Sequence, residues 1–573
     1  MADQLLIPST IVGVDLGTTF SSIAWASTAS PDDVNVLRKW PSFEGVEEAS
    51  RVPTKVTTQG KWGFDIPLSL PENEVMQWFK LGLYPWVKSA PPRYFEELKK
   101  NTSPEALIQR YLTALLTYAK GQMDLVSLPD DYEYVVTVPA VWSNDSKEKT
   151  KTLFSKAAKE AGMPEGTVHL LSEPEAAAIH VLSEKAEASR KTVAKLKIGD
   201  TFVVCDVGGG TVDLITYTVT NVSPLEVKEA APGDGEVAGS AQLNMRFEAY
   251  LEARFAKAPT YTTSSETLRK RIVQQAVTQF EKTKRRFDQQ SLAVEFPVSL
   301  LPDCEEAGIK NGRFRIEAEH LEDIFKPTVS AIVEVVQKQI LQITTAIQAV
   351  VLVGGFSQSP YLFNSLRAAV HPSIRFIRPP HPELAVTYGA IKKGLSLADD
   401  HGLTKVRVTS RKARHHIGDL REHVYNEKRH RALANKAYWC GYSGYTRVSA
   451  MTWYHKRGDD LPENKSVSFP FYQKQLVGRG WYTDLTLVVK IDRNDRPAGV
   501  ALDEKVGDLC TLTADLTGLA DCAHTFVKKG EDGKLYYVLD GDIRVTHRSA
   551  DMEYVLYIEH KRYDQIEIKY DYC

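Results

Sequence analysis

Two periodicities of apolar residues divide the chain near residue 395. Before that point, short β-branched runs, such as those at 133–142, 201–207 and 349–356, alternate with longer segments whose apolar residues recur every three to four positions. The short runs predict buried strands and the longer segments predict amphipathic helices. Their alternation is typical of an α/β fold.

Two of the helical segments have clear signals. Residues 143–162 begin with Ser143 or Asn144 as candidate N-caps and end at Gly162, a candidate C-cap. Residues 264–287 repeat apolar side chains at steps of four from Leu268 to Phe280. We therefore expect helices over both segments.

The pattern changes after residue 395. A polar, basic segment at 398–418 is followed by stretches in which apolar and polar residues alternate. In residues 484–492 the alternation places Leu485, Leu487, Val489 and Ile491 on one face. This period of two predicts half-buried strands, so residues 396–573 are expected to form a β-rich domain.

A hidden repeat links two of the predicted strands. "VGVDLGTTFSSIAWA" at 12–26 and "VVCDVGGGTVDLITY" at 203–217 each combine a strand, an aspartate, a Gly/Thr turn and a second strand. Backbone N–H groups in such turns can converge on an anion, and glycine lets a phosphate approach closely. Asp15 and Asp206 are suited to hold a hydrated Mg²⁺ beside it. One copy is commonly a tight turn, but two predict a pair of similar lobes that clamp one phosphate chain.

Two further segments are candidates for the rest of a nucleotide site. Gly354 and Gly355 end a predicted strand, where open α/β sheets bind ligands. A set of charged residues shares one predicted helix face through spacings of i, i+3, i+4 and i+7: Glu281, Lys284, Arg285 and Asp288. The face is either solvated, with Glu281 paired to Arg285, or a polar wall over ribose and base. Neither a P-loop nor a Rossmann fingerprint occurs in the sequence.

Composition limits the possible partners and compartments. The formal net charge is −2, so no overall field favours nucleic acid or anionic lipid. The sequence has no apolar run of membrane-spanning length, and its first residues lack a secretory pattern. Its six scattered cysteines favour a reducing compartment. We expect a cytoplasmic protein, with the nucleus as an alternative and no membrane contact. Nucleic-acid binding by the basic runs at 410–416 and 426–436 is disfavoured, because no aromatic residues interleave them.

Several motifs in order resemble the 70-kDa heat-shock chaperone family, within the actin and sugar-kinase ATPase superfamily. They are "GVDLGTT", "VTVPAVWSNDSKEKTK", "LLSEPEAAAIH", "CDVGGGTVD", "FEKTKRRF", "VLVGGFSQSPYL" and "PPHPELAVTYGAI". The resemblance implies an actin-like ATPase fold of two duplicated lobes, at 1–200 and 201–395, around a nucleotide cleft. Residues 396–573 would be a truncated substrate-binding-like domain without a helical lid.

The same resemblance assigns residue roles. ATP or ADP would bind with Mg²⁺, with K⁺ as a further candidate ion, and Asp15 and Asp206 would hold Mg²⁺ through waters. The implied catalytic residues are Lys80, Glu173, Asp206, Thr211 and Asp213. The implied nucleotide-binding residues are Gly17, Thr18, Thr19, Phe20, Gly208, Gly209, Gly210, Thr211, Gly239, Glu281, Lys284, Arg285, Asp288, Gly354, Gly355, Phe356, Gln358 and Glu383. For Lys80 the alternative is a surface lysine whose stem covers apolar area.

Some positions depart from the family pattern. Phe20 stands where the family has Tyr, and Phe356 and Gln358 stand where it has Ser and an adenine-stacking Arg. The segment "SLADDHGLTKVRV" does not resemble the family's interdomain linker. The combination resembles a divergent, lidless branch typified by heat shock 70 kDa protein 12.

These features leave several functions open. The first is a weak Mg²⁺-dependent ATPase, converting ATP to ADP and phosphate, that couples its nucleotide state to protein binding as a chaperone. The second is a nucleotide-gated scaffold with little or no hydrolysis. A small-molecule kinase of the same superfamily would need a substrate-site carboxylate cluster that the sequence does not suggest. The expected partner is a client or regulatory protein bound by the C-terminal domain, and the oligomeric state stays open.

Overall fold

The computed structural model forms two compact units, Met1–Arg407 and Val408–Cys573. It describes residues 8–570 except 68–69, 71–73, 84–101, 192–195, 289, 291, 299, 399–405, 464, 495, 559–560 and 564–565. The predicted boundary after residue 395 lies before this division. Residues 399–405, in the polar segment between this predicted boundary and the division, lie outside the described residues, and so does Cys573. Within the described part of the chain, no helix combines the length and apolar character needed to cross a bilayer.

The first lobe of the larger unit is built on a mixed sheet. Its elements are β1 (Ser9–Asp15), β2 (Phe20–Ser27), β3 (Ser30–Val36), β4 (Lys39–Ser42), β5 (Gly45–Glu48), β6 (Val52–Pro53), β7 (Lys55–Thr57), β8 (Val75–Gln77), α1 (Pro104–Met123), β9 (Asp131–Val138), α2 (Asn144–Glu160), β10 (Gly166–Ser172) and α3 (Glu173–Lys191). The strand order is β10-β9-β1-β2-β3, with β10, β9 and β1 parallel and the β1–β2–β3 meander antiparallel.

The second lobe repeats this topology. Its elements are β11 (Thr201–Val207), β12 (Val212–Val222), β13 (Leu225–Glu236), α4 (Ser240–Phe255), α5 (Pro259–Thr262), α6 (Glu266–Lys284), β14 (Val294–Pro297), β15 (Ile309–Lys310), β16 (Arg313–Ile316), α7 (Ala318–Leu341), β17 (Ile347–Val353), α8 (Pro360–Ala369), β18 (Arg375–Ile377) and α9 (Ala385–Leu397). The order β18-β17-β11-β12-β13 has the same parallel and antiparallel pairings as the first sheet. The duplication expected from two short turns thus extends over five strands.

The last helix of each lobe packs on the other. A Cβ on Gly389 of α9 would lie 1.7 Å from the carbonyl oxygen of Ala176 in α3, so glycine permits the close helix contact. Helix α9 also contributes Ile391 and Leu395 to a core around Ile11 of β1. Helix α9 therefore joins the two lobes, because it belongs to the second lobe in sequence and packs against the first.

Both predicted helices are present, and the predicted N-cap Ser143 is confirmed, whereas the cap Ser265 was not predicted. The Ser143 hydroxyl caps α2 by accepting the Ser146 N–H, and the Ser265 hydroxyl caps α6 by accepting the Leu268 N–H. Helix α6 buries the apolar stripe that ends at Phe280. These outcomes follow from hydrogen bonding of the first helical N–H groups and burial of one face.

The smaller unit is a sandwich of two antiparallel sheets. Its elements are β19 (Val406–Lys412, which spans the division), β20 (His416–Val424), α10 (Glu427–His430), β21 (Tyr438–Cys440), β22 (Tyr445–His455), β23 (Asp460–Pro462), β24 (Ser466–Leu476), β25 (Asp484–Asp492), β26 (Val506–Asp515), β27 (Val527–Lys529), β28 (Leu535–His547), β29 (Met552–Ile558), β30 (Lys561–Tyr563) and β31 (Ile566–Tyr570). Sheet β21-β22-β20-β25-β26-β31 shares a core with sheet β24-β28-β29-β30. Leu485 and Val489 are buried in this core as the alternating pattern predicts.

A buried histidine pair makes this unit sensitive to acid. The Nε2 atoms of His455 in β22 and His547 in β28 are 2.6 Å apart. Burial, followed by the charge of His455, lowers the pKa of His547 to about 3, and burial lowers the pKa of His455. The unfolded chain, with histidine pKa values of about 6.5, binds protons first, so stability is lost as pH falls from about 6.5 toward 3.

We expect the C-terminal unit to lose about 1–3 kcal/mol of unfolding free energy between pH 7.5 and 5.5. Urea unfolding of the full chain at the two pH values measures this loss, and His547→Gln should reduce it. His524→Gln, at an exposed histidine of the same unit, is the control. An unchanged pH dependence in His547→Gln would contradict the assignment.

Candidate nucleotide-binding site

The two Gly/Thr turns of the repeat face each other. Asp15 ends β1, and Asp206 lies one residue before the end of β11. A Cβ on Gly209 would lie 2.3 Å from Thr19 Oγ1, and one on Gly210 would lie 2.5 Å from Thr18 Oγ1. Glycine is therefore needed for the turns to meet, and the structure brings together the two halves of the predicted clamp.

The other turn glycines are also constrained by close contacts. A Cβ on Gly17 would lie 2.1 Å from the Phe20 carbonyl oxygen, and one on Gly239 would lie 2.4 Å from the Gly209 carbonyl group. Gly239 is the N-cap of α4, whose first residues donate backbone N–H groups to the carbonyl oxygens of Gly208 and Gly209. The N-terminus of α4 thereby supports the second turn.

Lys80 and Glu173 form a buried ion pair below the turns. Lys80 lies in a 3₁₀ segment, Phe79–Leu83, and its Nζ donates to Glu173 Oε1 at 2.7 Å. The Nζ atom is also 5.1 Å from the centre of the Trp142 ring. Only 2% of Lys80 is exposed, so the alternative of a surface lysine is wrong.

Asp213 presents an unsatisfied oxygen beside this pair. Its Oδ1 accepts the backbone N–H groups of Ala140 at 2.8 Å and Val141 at 3.3 Å. Its Oδ2 is buried and accepts no hydrogen bond of ordinary geometry among the described residues, although the nearby Thr211 hydroxyl lowers the pKa of Asp213. A buried carboxylate oxygen without a donor is costly, so a water or ligand donor is expected there.

Three buried carboxyl groups, those of Glu173, Asp206 and Asp213, and the partly buried Asp15 crowd the site. Burial is the main cause that raises the pKa of Asp15, Asp206 and Asp213, and it raises that of Glu173 to about 7. Neighbouring carboxylates raise the pKa of Asp206 further, whereas Lys80 lowers it. The cluster has too little positive charge of its own, which a divalent cation can supply.

The donor set fits a hydrated Mg²⁺. Asp15 Oδ1 accepts the Thr137 hydroxyl at 3.0 Å, and Asp206 lies against the end of β17. There Gly354 has a φ of +83°, and a Cβ on it would lie 2.4 Å from Asp206 Oδ1. In the described part of the chain, no three His, Cys, Asp or Glu side chains are arranged for direct metal ligation. Asp15 and Asp206 would hold Mg²⁺ through waters, as this ion prefers.

A cavity adjoins the turns. It is lined by Thr19, Phe20, Arg51, Gly209, Ser240, Glu281, Lys284, Arg285, Gly355, Phe356 and Ser359. Lys284 Nζ donates to Glu281 Oε1 at 2.7 Å, which replaces the pairing with Arg285 considered from the sequence. Phe356 is almost fully buried and belongs to the core of the second lobe as well as to the cavity wall.

Asp288 and Gln358, two of the predicted nucleotide-binding residues, do not line this cavity. The i+7 spacing predicts Asp288 on the face of a helix, but α6 ends at Lys284 and Arg285 is its C-cap. The i+7 argument for Asp288 is therefore wrong, and Asp288 does not line this cavity. Gln358 also stands outside the lining, where its Nε2 donates to Glu383 Oε2 at 3.0 Å just before α9.

Sequence reasoning missed four residues at the site, namely Arg51, Thr137, Ser240 and Ser359. Ser240 directly follows the predicted Gly239, and Ser359 follows Gln358, so proximity to known motifs could have indicated both. Arg51 lies between β5 and β6 in a segment without any recognisable motif. Only the pairing of β6 with the start of β2 brings it to the site.

Comparison with known proteins supports the family suggested by the motifs. The family described as Hsp70 protein matches residues 95–406. Heat shock 70 kDa protein 12A of Homo sapiens is 26% identical over 499 residues, covering 69% of this chain and 70% of that protein. Heat shock 70 kDa protein 12B of Homo sapiens is 23% identical, covering 67% and 68%. The Heat shock cognate HSP70 protein of Trypanosoma brucei brucei is 28% identical, covering 52% of this chain and 40% of its own length. The predicted fold class, an actin-like α/β domain followed by a β-rich region, is confirmed.

Proposed function

Because the chain belongs to the Hsp70 family, we propose that it binds ATP with Mg²⁺, hydrolyses it slowly and couples its nucleotide state to protein binding. The observation that carries this proposal is the pair of facing glycine turns beside a cluster of four carboxyl groups, three of them buried. The turns are suited to a phosphate chain, and the carboxyl groups are suited to the cation that accompanies it.

The residues below the turns have distinct tasks in this proposal. Bound Mg²⁺ would neutralise phosphate charge. Glu173, held at 2.7 Å by Lys80, would orient the attacking water, and the free Oδ2 of Asp213 would accept a hydrogen bond from it. Lys80 would stabilise charge on the transferred phosphoryl group, and Thr211 would donate to it. Such catalysis consists of positioning and electrostatic stabilisation.

A groove in the C-terminal unit supports partner binding. Strands β20 and β25 pair only over His416–Gly418 and Lys490–Asp492. The groove is lined beyond that point by residues 419–422 of β20 and 486–490 of β25, with β24 and β28 contributing as well. We propose that a client or regulatory protein binds here, in the cytoplasm or alternatively in the nucleus.

Calorimetric titration with Mg·ATP and Mg·ADP, with phosphate release followed on the same sample, tests the nucleotide part. Binding with slow release supports an ATPase, whereas binding without release supports the nucleotide-gated scaffold. The absence of binding would overturn both. Refolding of a denatured model protein with and without ATP then separates chaperone activity from a scaffold.

Blocking the groove should weaken partner binding. We expect Thr486→Arg to reduce binding of a permanently unfolded model protein about tenfold, because the exposed Thr486 lines the groove and a long charged side chain would occupy it. Thr513→Arg is the matched control, since Thr513 is the cross-strand partner of Thr486 but does not line the groove. Equal binding by both variants in a fluorescence anisotropy titration would exclude the groove.

A further inference from the structure

The Arg51 side chain reaches into the cleft from the first lobe. The residues that follow it form β6, in which Val52 and Pro53 pair with Ser21 and Phe20 of β2. This pairing fixes the Arg51 backbone beside the first glycine turn. The guanidinium carbon lies 5.1 Å from the centre of the Phe20 ring.

Arg51 also contacts the second lobe. A Cβ on Gly355 would lie 3.0 Å from one terminal nitrogen of Arg51 and 3.1 Å from the other. Both residues line the cavity beside the turns. The side chain is thus held between the Phe20 ring on one lobe and the glycine pair at the end of β17 on the other.

This guanidinium lacks an acceptor. Among the residues that the structure describes, no oxygen accepts a hydrogen bond from the Arg51 side chain or forms an ion pair with it. The charges of Glu383, Asp15 and Asp206 act on it only over longer distances, and burial lowers the pKa of Arg51. Lys284, the other largely buried cation of the cavity, is paired with Glu281.

We propose that Arg51 is a nucleotide-anchoring residue whose guanidinium binds the phosphate chain of the nucleotide. The inference rests on the proposed function. The Phe20 ring and Gly355 restrict the side chain, and its two terminal nitrogens lie beside Gly355 in the wall of the cavity. The five N–H donors of the guanidinium form a fixed fork that matches the oxygens of a phosphate. Because Arg51 contacts both lobes, the bound phosphate chain would hold the cleft closed.

The test compares nucleotides with and without phosphates. ADP affinity is measured by calorimetry and adenosine affinity by displacement of ADP, for the wild type, Arg51→Gln and Arg51→Lys. We expect Arg51→Gln to weaken ADP binding about 10- to 100-fold, since it removes a charged hydrogen-bond donor, and to leave adenosine within about twofold. Arg51→Lys, which keeps the charge but loses the fork, should lie between them. Arg378→Gln removes a similar arginine, 5.0 Å from the Phe363 ring, and is the control.

The outcomes separate the possible failures. A wild-type chain that binds no ADP refutes the proposed function itself. Unchanged ADP affinity in Arg51→Gln overturns the inference while leaving the function intact. Equal losses for ADP and adenosine also overturn it, because Arg51 would then act on the base or on the fold. If Arg51→Gln does not fold, Arg51→Lys decides, and wild-type ADP affinity in that variant refutes the need for the fork.

Discussion

Replacing Lys80 with methionine should reduce ATP hydrolysis by at least about 100-fold while leaving the chain folded. Methionine can fill the space near the Trp142 ring, but it removes the lysine that pairs with Glu173. Loss of one electrostatic stabiliser of a phosphoryl group typically costs a factor of 10²–10³ in rate, about 3–4 kcal/mol. Steady-state phosphate release with saturating Mg·ATP measures the effect.

The same variant should lose only about 1–3 kcal/mol of stability. Removal of one partner from a buried ion pair can cost about 3–5 kcal/mol when the other charge persists. Here the pKa of Glu173 is already raised to about 7, mainly by burial. Without Lys80 the carboxyl group takes up a proton near neutral pH, which limits the cost.

Lys392→Met is the matched control for this prediction. Lys392 pairs with Glu184 at 2.8 Å between α9 and α3, but Glu184 is largely exposed. Loss of such a pair should cost less than about 1 kcal/mol and leave hydrolysis unchanged. If both variants hydrolyse ATP at the wild-type rate, Lys80 is a structural residue and the catalytic assignment is wrong.

Local features of the candidate site could be predicted from the sequence. In each motif one apolar residue separates the aspartate from the glycine turn, so "VDLGTT" and "CDVGGG" predict phosphate binding without any knowledge of tertiary structure. The topological duplication follows from the same two motifs, because each begins a β-meander of the same kind.

Tertiary contacts could not be predicted in this way. Lys80 and Glu173 are 93 residues apart, and no periodicity links them. The predicted placement of Asp288 on a helix face is wrong, because periodicity within α6 does not show that the helix ends at Lys284. Arg51 reaches the cleft only through the two-residue strand β6, which is too short to leave a pattern.

Replacing Asp206 with asparagine should change two properties in opposite directions. The pKa of Asp206 is raised well above its usual value by burial and then by Glu173, Asp213 and Asp15. A carboxyl group whose pKa is higher in the folded state destabilises the fold as pH rises above its unfolded value of about 4. The asparagine side chain carries no charge, so the ligand-free Asp206→Asn variant should be more stable than the wild type by about 1–3 kcal/mol at pH 7.5. The gain should shrink toward pH 5.

In contrast, Mg·ADP should stabilise the Asp206→Asn variant less than it stabilises the wild type. Ligand at 100 times its dissociation constant adds about 2.7 kcal/mol to the stability of a folded protein. The variant should lose most of the extra stabilisation that Mg²⁺ adds to ADP, because asparagine provides no charge for the hydrated ion. Thermal unfolding of the ligand-free, ADP-bound and Mg·ADP-bound forms measures both effects.

Asp200→Asn is the control for the two effects. Asp200 precedes β11 in the same lobe, and its Oδ2 accepts the Lys197 N–H at 2.8 Å outside the carboxyl cluster. This variant should be no more stable than the wild type and should keep the full response to Mg²⁺. An Asp206→Asn variant that is less stable without ligand would show that the carboxyl group is already compensated in the apoprotein. A full Mg²⁺ response in that variant would instead remove Asp206 from the metal site and leave Asp15 as the only aspartate assigned to it.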